Sequence, residues 1–224
     1  MCWSPTADLL AGSVVSAVGV AAVVNVRQLR QLPLAALPLL LGAHQLIEAV
    51  VWLGQEGRVG ADQAALARTL WAVIAYPLLP ALVPLAVLAV AAPACRPLLT
   101  VLAAAGLATS AVLAHAIASG PVTAEVVGHT VRYGVGVPVP WLVVAGYLVA
   151  TVGALLASGR PDIRVLGVAC GVGAGICTVL WQAAFVSTWC ALAAVSSLLV
   201  LRWVLRSRPA RPAAAVPAGS GGRC

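Results

Sequence analysis

The chain consists of a series of long apolar runs, and this feature restricts its fold more than any other. A helix of about 17 to 25 mostly apolar residues is long enough to cross the roughly 30 Å hydrocarbon core of a bilayer. The sequence contains seven such runs, at 8–26, 32–54, 66–92, 97–119, 138–158, 163–185 and 188–206. The pattern therefore predicts an all-α, polytopic membrane protein, with a seven-helix transmembrane bundle over residues 1–206.

Composition supports this prediction and excludes several classes of protein. Only 8% of the residues are charged, and the mean hydropathy is +1.05, far above that of a water-soluble domain. The basic residues are all Arg, which excludes a retinal Schiff base, a pyridoxal phosphate lysine and a Walker-type phosphate lysine. The arginines that produce the net charge of +7 lie in short gaps between apolar runs and in the C-terminal tail. Their distribution indicates membrane topology rather than a nucleic-acid partner.

The distribution of arginine predicts the orientation in the cell membrane. Only Arg58, Arg68 and Arg132 fall on one side of the membrane. The positive-inside rule therefore places the N-terminus outside and the C-terminus in the cytoplasm. Residues 207–224 are rich in Pro, Ala, Gly and Arg and are expected to form a disordered cytoplasmic tail. The other arginines occupy the opposite side: Arg27, Arg30, Arg96, Arg160, Arg164, Arg202, Arg206, Arg208, Arg211 and Arg223.

The strongest local signal is an ionisable pair in the second apolar run. His44 and Glu48 are four residues apart, and they form one stripe on a helix face with Leu41, Gln45 and Trp52. A carboxyl inside the membrane is costly when ionised, so Glu48 should face the bundle interior and remain protonated. We expect it to act as a proton donor, and His44 must then remain neutral. The structural alternative is a polar clamp between helices.

Aromatic residues predict an apolar cavity in the outer half of the bundle. Asp8 is placed there too, either as a helper of the acid or as a simple helix-start acid. Trp3, Trp189 and Trp203 are expected in an interfacial belt, and the segment with Glu125, His129, Arg132 and Tyr133 is expected to be a solvated loop. The residues expected to bind substrate or a cationic intermediate are Trp52, Trp71, Tyr76, Trp141, Tyr147 and Trp181.

Three classes of function remain open. A protonated Glu48 among aromatic rings suits proton-initiated terpene cyclisation, with Asp8 and His44 as further catalytic residues and no metal or cofactor. A metal-dependent membrane hydrolase would use His44 and Glu48 as ligands with His115, His129 or Asp8 as a third. A non-enzymatic binding, transport or structural protein would use the pair as a relay or clamp.

The residues Met1 to Asp8 (MCWSPTAD), followed by Gly42 to Glu48 (GAHQLIE) with Trp52 behind them, resemble a family of small seven-span actinobacterial membrane proteins. Some members are similar to the membrane-bound terpene cyclases of drimentine- and xiamycin-type pathways. The resemblance covers mainly residues 1–52. It implies a class II cyclase acting, without metal, on a farnesylated indole or diketopiperazine. It also implies Glu48 as the acid, with Asp8 and His44 as helpers.

Overall fold

A computed structural model of the protein describes residues 4–127, 130–137, 139–179 and 185–207. Within these ranges the chain forms seven helices and one two-stranded sheet. The strands are β1, Thr123–Val127, and β2, Thr130–Gly134. Helical segments that follow one another almost without interruption are counted as one helix. The helices are α1, Pro5–Val24; α2, Leu29–Gln55; α3, Ala61–Val90; α4, Pro93–Ser119; α5, Pro140–Leu156; α6, Pro161–Val179; and α7, Phe185–Arg206.

Four of the helices in the described part of the chain, α1 to α4, are long and apolar enough to cross a membrane. α5 is a shorter apolar helix. The prediction of apolar helices of membrane-spanning length is confirmed for these four. A helix also lies at each of the other three positions where the sequence predicted one.

The proline residues of α2 and α3 shape these two helices. α2 starts with the 3-10 turn Leu29–Gln31 and the short α-helical segment Leu32–Ala35, before the longer segment Leu37–Gln55. In α3, Pro77 lies inside the π-helical segment Ile74–Leu78. The Ser110 hydroxyl donates to the Pro77 carbonyl, and the Tyr147 hydroxyl donates to the Ala75 carbonyl at 2.9 Å. Neighbouring helices therefore satisfy carbonyls of the proline-containing segment, as expected.

α1 and α2 pack in opposite directions with their backbones in close approach. A Cβ atom on Gly42 would lie 2.7 Å from the Ser16 nitrogen and 2.9 Å from the Gly12 oxygen. One on Gly19 would lie 2.8 Å from the Cα atom of Leu39. Small residues allow this approach. Gly12, Ser16 and Gly19 are therefore part of the surface of α1 that packs on α2, and this packing brings the start of α1 beside the end of α2.

The largest apolar core lies at the opposite end of the bundle, where α2 begins and α7 ends. The side chains of Leu34, Leu99, Ile163 and Trp203 meet there. Trp203 is 5% exposed. The prediction that it lies in an interfacial belt is therefore wrong, because its ring points into this core. Trp3 and the side chain of Trp189 lie outside the described residues.

β1 and β2 form an antiparallel hairpin after α4, in place of the expected solvated loop. Glu125 pairs with Arg132 and Val126 with Val131. Side chains alternate along a strand, so Val131 is 5% exposed while Arg132 points outward. The fold is accordingly not purely helical, and one row of the hairpin packs on the bundle. His129 and residues 208–224 lie outside the described residues.

Candidate functional site

Four polar residues of α1 and α2 are buried at the end of the bundle where α1 begins. Asp8 is 0% exposed, His44 5%, Gln45 3% and Glu48 1%. Helix spacing places His44, Gln45 and Glu48 on one side of α2. The antiparallel contact of α1 with α2 brings Asp8 to the same level. Polar groups at such depth are costly unless they serve a structural or chemical purpose.

Trp71 of α3 links Glu48 to a group of aromatic rings. Its indole Nε1 donates a hydrogen bond to Glu48 Oε2 at 3.2 Å. The His44 ring lies 4.7 Å from the Trp71 ring, with 34° between their planes. Tyr76 meets the same indole edge-on at 5.9 Å. The acid is therefore held by an aromatic side chain that has its own defined contacts.

Asp8 is the second carboxyl of this cluster. It interacts electrostatically with Glu48 and with the Trp52 indole, which is itself 7% exposed. Neither carboxyl oxygen makes a hydrogen bond of ordinary geometry with the described residues. A simple helix-start role would leave the carboxyl facing solvent. The Ser4 hydroxyl performs that role, since it accepts the Ala7 N–H at 3.2 Å.

Gln45 is a member of the cluster that the sequence reasoning did not select as functional. Both atoms of its amide group lack hydrogen-bond partners among the described residues, as does His44 Nε2. Buried polar atoms are nearly always hydrogen-bonded in folded proteins. Its place three residues before Glu48 was the signal available, and it was read only as part of the stripe. The Gln45 amide and His44 Nε2 are therefore available to hydrogen-bond a further polar group.

The hairpin covers this cluster. Val131 packs in one group with Val51, Trp52 and Ala67. The Tyr133 ring stacks on Trp71, with ring centroids 3.5 Å apart and planes within 4°. Burial raises the pKa of the Tyr133 hydroxyl above its usual value, and negative charge on Glu48 and Asp8 would raise it further. The Tyr133 hydroxyl therefore stays neutral. Its place in the site was not predicted from the sequence, because a solvated loop was expected there.

The aromatic residues selected from the sequence fall into two groups. Trp52, Trp71 and Tyr76 lie in or against the cluster. Trp141 is 72% exposed and does not line it, because the first half of α5 has no buried residue. Tyr147 uses its hydroxyl on the backbone of α3, and Trp181 lies outside the described residues.

His115, the second of the two histidines that the structure describes, is separate from the cluster. His115 is exposed, and its Nε2 lies 3.3 Å from the Ser119 hydroxyl. It lines a surface groove on α4 with Ala111, Val112 and Gly136. Across the described ranges, no three His, Cys, Asp or Glu side chains come together in a way that could hold a metal ion. His129, another candidate third ligand, lies outside the described residues.

Comparison with known proteins gives one result. The model of a family of unknown function, DUF6629, matches residues 1–215. The chain belongs to this family. No curated protein and no solved structure matches it. The match includes the cluster and the hairpin, so the same family model spans every residue of the candidate site.

Proposed function

We propose that the protein is a membrane-bound class II terpene cyclase in which Glu48 donates the initiating proton. The observation that carries the proposal is the buried Glu48 carboxyl, which accepts the Trp71 N–H and interacts with a second buried carboxyl, Asp8. Two interacting carboxyls in a site closed to water do not both ionise. A proton is therefore kept where aromatic rings surround it.

The chemistry requires no oxidant, reductant or metal. The O–H bond of Glu48 breaks, and the π electrons of the terminal alkene take the proton and form a new C–H bond. A second alkene of the same chain then attacks the resulting carbocation and closes a ring. Loss of a proton from a neighbouring carbon restores an alkene, so the product is an isomer of the substrate. With a terminal epoxide the proton goes to oxygen and a C–O bond breaks instead.

The surrounding residues suit the later steps. The faces of Trp52, Trp71 and Tyr76 stabilise positive charge as it moves along the chain. The hairpin excludes water, which would quench the cation. Asp8 and His44 are the groups that accept the final proton or return it to Glu48. Binding of the isoprenoid chain at the cluster orients the chain and brings its double bonds within reach of each other.

The proposed substrate is an isoprenoid chain attached to an indole or diketopiperazine, as the family resemblance implies. A farnesyl chain is apolar and reaches the site from the bilayer. The apolar exterior of the bundle supports such a route, since Leu10, Val14 and Val101 are all more than 60% exposed. No metal-binding group is required for a substrate that is activated by protonation.

We further propose that all seven helices cross the cell membrane, with the N-terminus outside and the C-terminus in the cytoplasm. The ends of the helices support this arrangement. Arg160 Nε donates to the Val90 carbonyl at 2.5 Å, and Arg206 lies 3.5 Å from Asp162. Loops assigned to the cytoplasm thus meet at one end of the bundle, and the Asp8–Glu48 cluster lies at the other.

Product analysis by mass spectrometry and NMR tests the cyclase proposal. Membranes with wild-type protein, Glu48→Gln or Glu56→Gln receive a farnesylated indole diketopiperazine, with and without chelator. We expect an isomer of unchanged mass from wild type, and about 10²- to 10⁴-fold less from Glu48→Gln, because a positioned acid contributes this much to a rate. Chelator should have no effect.

Glu56→Gln is the matched control, since Glu56 lies just beyond the end of α2 and pairs with Arg58 at the surface. It should retain full activity. If wild type leaves the substrate unchanged, this substrate class is wrong. If Glu48→Gln forms the isomer at the wild-type rate, Glu48 is a structural clamp and not the acid.

A further inference from the structure

The β1–β2 hairpin presents one aromatic ring to the candidate site. Val131 and Tyr133 belong to the inward row of β2, and the exposed Arg132 between them belongs to the outward row opposite Glu125. Tyr133 contributes to the same apolar group as Trp71, Ala72 and Tyr76. The hairpin therefore reaches the helix bundle through side chains, and Tyr133 contacts the residue that is hydrogen-bonded to the acid.

Trp71 is held by ring contacts on several sides. Tyr133 covers one face of the indole with nearly parallel planes, while Tyr76 meets it edge-on. His44 lies against it from α2. Of these three, only Tyr133 comes from outside the helices. Since the indole turns about its side-chain bonds, the ring stacked on its face determines where its N–H points.

The direction of that N–H matters because it donates to Glu48 Oε2. A rotation of the indole would lengthen the 3.2 Å hydrogen bond and remove a polar partner from a buried carboxyl. The Tyr133 hydroxyl makes no hydrogen bond to a described residue. The ring, and not the hydroxyl, is accordingly the part of Tyr133 that acts on Trp71.

We propose that Tyr133 is a positioning residue for the acid: its ring holds Trp71 so that the indole N–H stays on the Glu48 carboxyl. The inference rests on the proposed function in that it treats Glu48 as the acid. It adds that the hairpin, although outside the helix bundle, controls the geometry of the proton donor. Displacement of the hairpin would then release the indole and change the acid at the same time.

Difference infrared spectroscopy of the protein in lipid nanodiscs tests this without turnover. The infrared band of the Glu48 side chain, whether carboxylic acid or carboxylate, is assigned as the band that disappears in Glu48→Gln. Trp71→Phe removes the N–H donor and defines the frequency shift for loss of the hydrogen bond. We expect Tyr133→Leu to give the same shift, because the indole loses its stacking partner. Tyr133→Phe keeps the ring and should leave the band in place.

Tyr147→Phe is the control, since its hydroxyl donates to the backbone carbonyl of Ala75 and not to Trp71 or Glu48. It should not move the band. If Tyr133→Leu does not fold, Tyr133→Met replaces it, filling the space without an aromatic face. An unmoved band in the Leu or Met variant overturns the proposal. A shift in Tyr133→Phe or Tyr147→Phe also overturns it, because the effect would not come from the stacked ring.

In the cyclase assay, Tyr133→Leu should lower kcat more than it raises KM, since it misplaces the acid and leaves most of the site unchanged. Tyr133→Phe should retain the wild-type rate. The two readouts separate the two proposals. Absence of product from the wild type, together with the expected infrared shifts, rejects a farnesylated indole diketopiperazine as the substrate but keeps the role of Tyr133. Product from the wild type, together with an unmoved Glu48 band in Tyr133→Leu, rejects the role of Tyr133 and leaves the cyclase function in place.

Discussion

At the scale of single residues, Glu48 combines a carboxyl with a position inside an apolar helix, where it is 1% exposed. Such residues in membrane-spanning segments normally face the protein interior and mark functional positions. Asp8, on a neighbouring helix, has the same property. Two buried carboxyls with an aromatic donor at one of them form an arrangement more suited to keeping a proton than to packing.

Gly42 is the residue on which the position of Asp8 beside Glu48 depends. Gly42→Ala would place a Cβ atom 2.7 Å from the Ser16 nitrogen and 2.9 Å from the Gly12 oxygen. Since backbone cannot move aside easily, we expect a loss of about 1–3 kcal/mol in unfolding free energy. Thermal unfolding in detergent, followed by circular dichroism, measures the change.

Gly120→Ala is the control for this substitution, because a Cβ atom there has nothing within 4 Å. It should leave the unfolding temperature within about a degree of the wild type, since surface substitutions rarely exceed 0.5 kcal/mol. Equal unfolding temperatures for Gly42→Ala and the wild type would show that the contact of α1 with α2 is loose in solution.

At the scale of elements, the hairpin is the part of the structure that closes the site. Val131→Asn would place an amide where the side chain is 5% exposed, among Val51, Trp52 and Ala67. A buried polar group without a partner costs about 1–3 kcal/mol. We expect the backbone amides of residues 123–134 to exchange at least tenfold faster, as measured by hydrogen–deuterium exchange and mass spectrometry.

Val126→Asn is a matched control on the partner strand. Val126 pairs directly with Val131 and is 45% exposed, so an amide at this position remains solvated. Exchange should then stay close to that of the wild type. Equal acceleration in both variants would mean that the hairpin depends on strand pairing alone and is not held on the bundle by Val131.

At the scale of the whole molecule, the two ends of the bundle carry different ionisable residues. Asp8 and Glu48 lie at one end, and Arg160 and Arg206 lie at the other. Alkaline phosphatase is active only outside the cytoplasm, whereas green fluorescent protein fluoresces inside it. Fusions after Ser207 should therefore fluoresce and lack phosphatase activity, and fusions after Gly57 should behave in the opposite way.

A fusion after Ala92 provides a third point, since it follows α3 and is expected in the cytoplasm. It should match the fusion after Ser207. Phosphatase activity after both Gly57 and Ala92 would contradict the proposed crossing of α3. Phosphatase activity after both Gly57 and Ser207 would contradict the odd number of spans proposed between these two points.

Local spacing was sufficient for much of the helical structure. Helix positions followed from runs of apolar residues, because a helix in lipid satisfies its own backbone. The common face of His44, Gln45 and Glu48 followed from 3.6 residues per turn. Small residues about one helical turn apart on α1 favour close packing of that helix, although the structure was needed to show that α2 is the partner. All of these depend on neighbours within a few positions of the chain.

Contacts between distant segments decided the rest. Trp141 was expected to line the site but is exposed, and Trp203 was expected at the membrane interface but is buried. Which face of a helix turns inward depends on the neighbours that cover it. Trp71 contacts Glu48 although the two residues are 23 positions apart. Tyr133 contacts Trp71 from a hairpin whose short strands gave little periodic signal in the sequence. The sequence by itself determined an apolar helical protein with a buried acid. Only the tertiary structure decided what surrounds that acid, because side-chain contacts between helices and the hairpin exist only once the chain has packed.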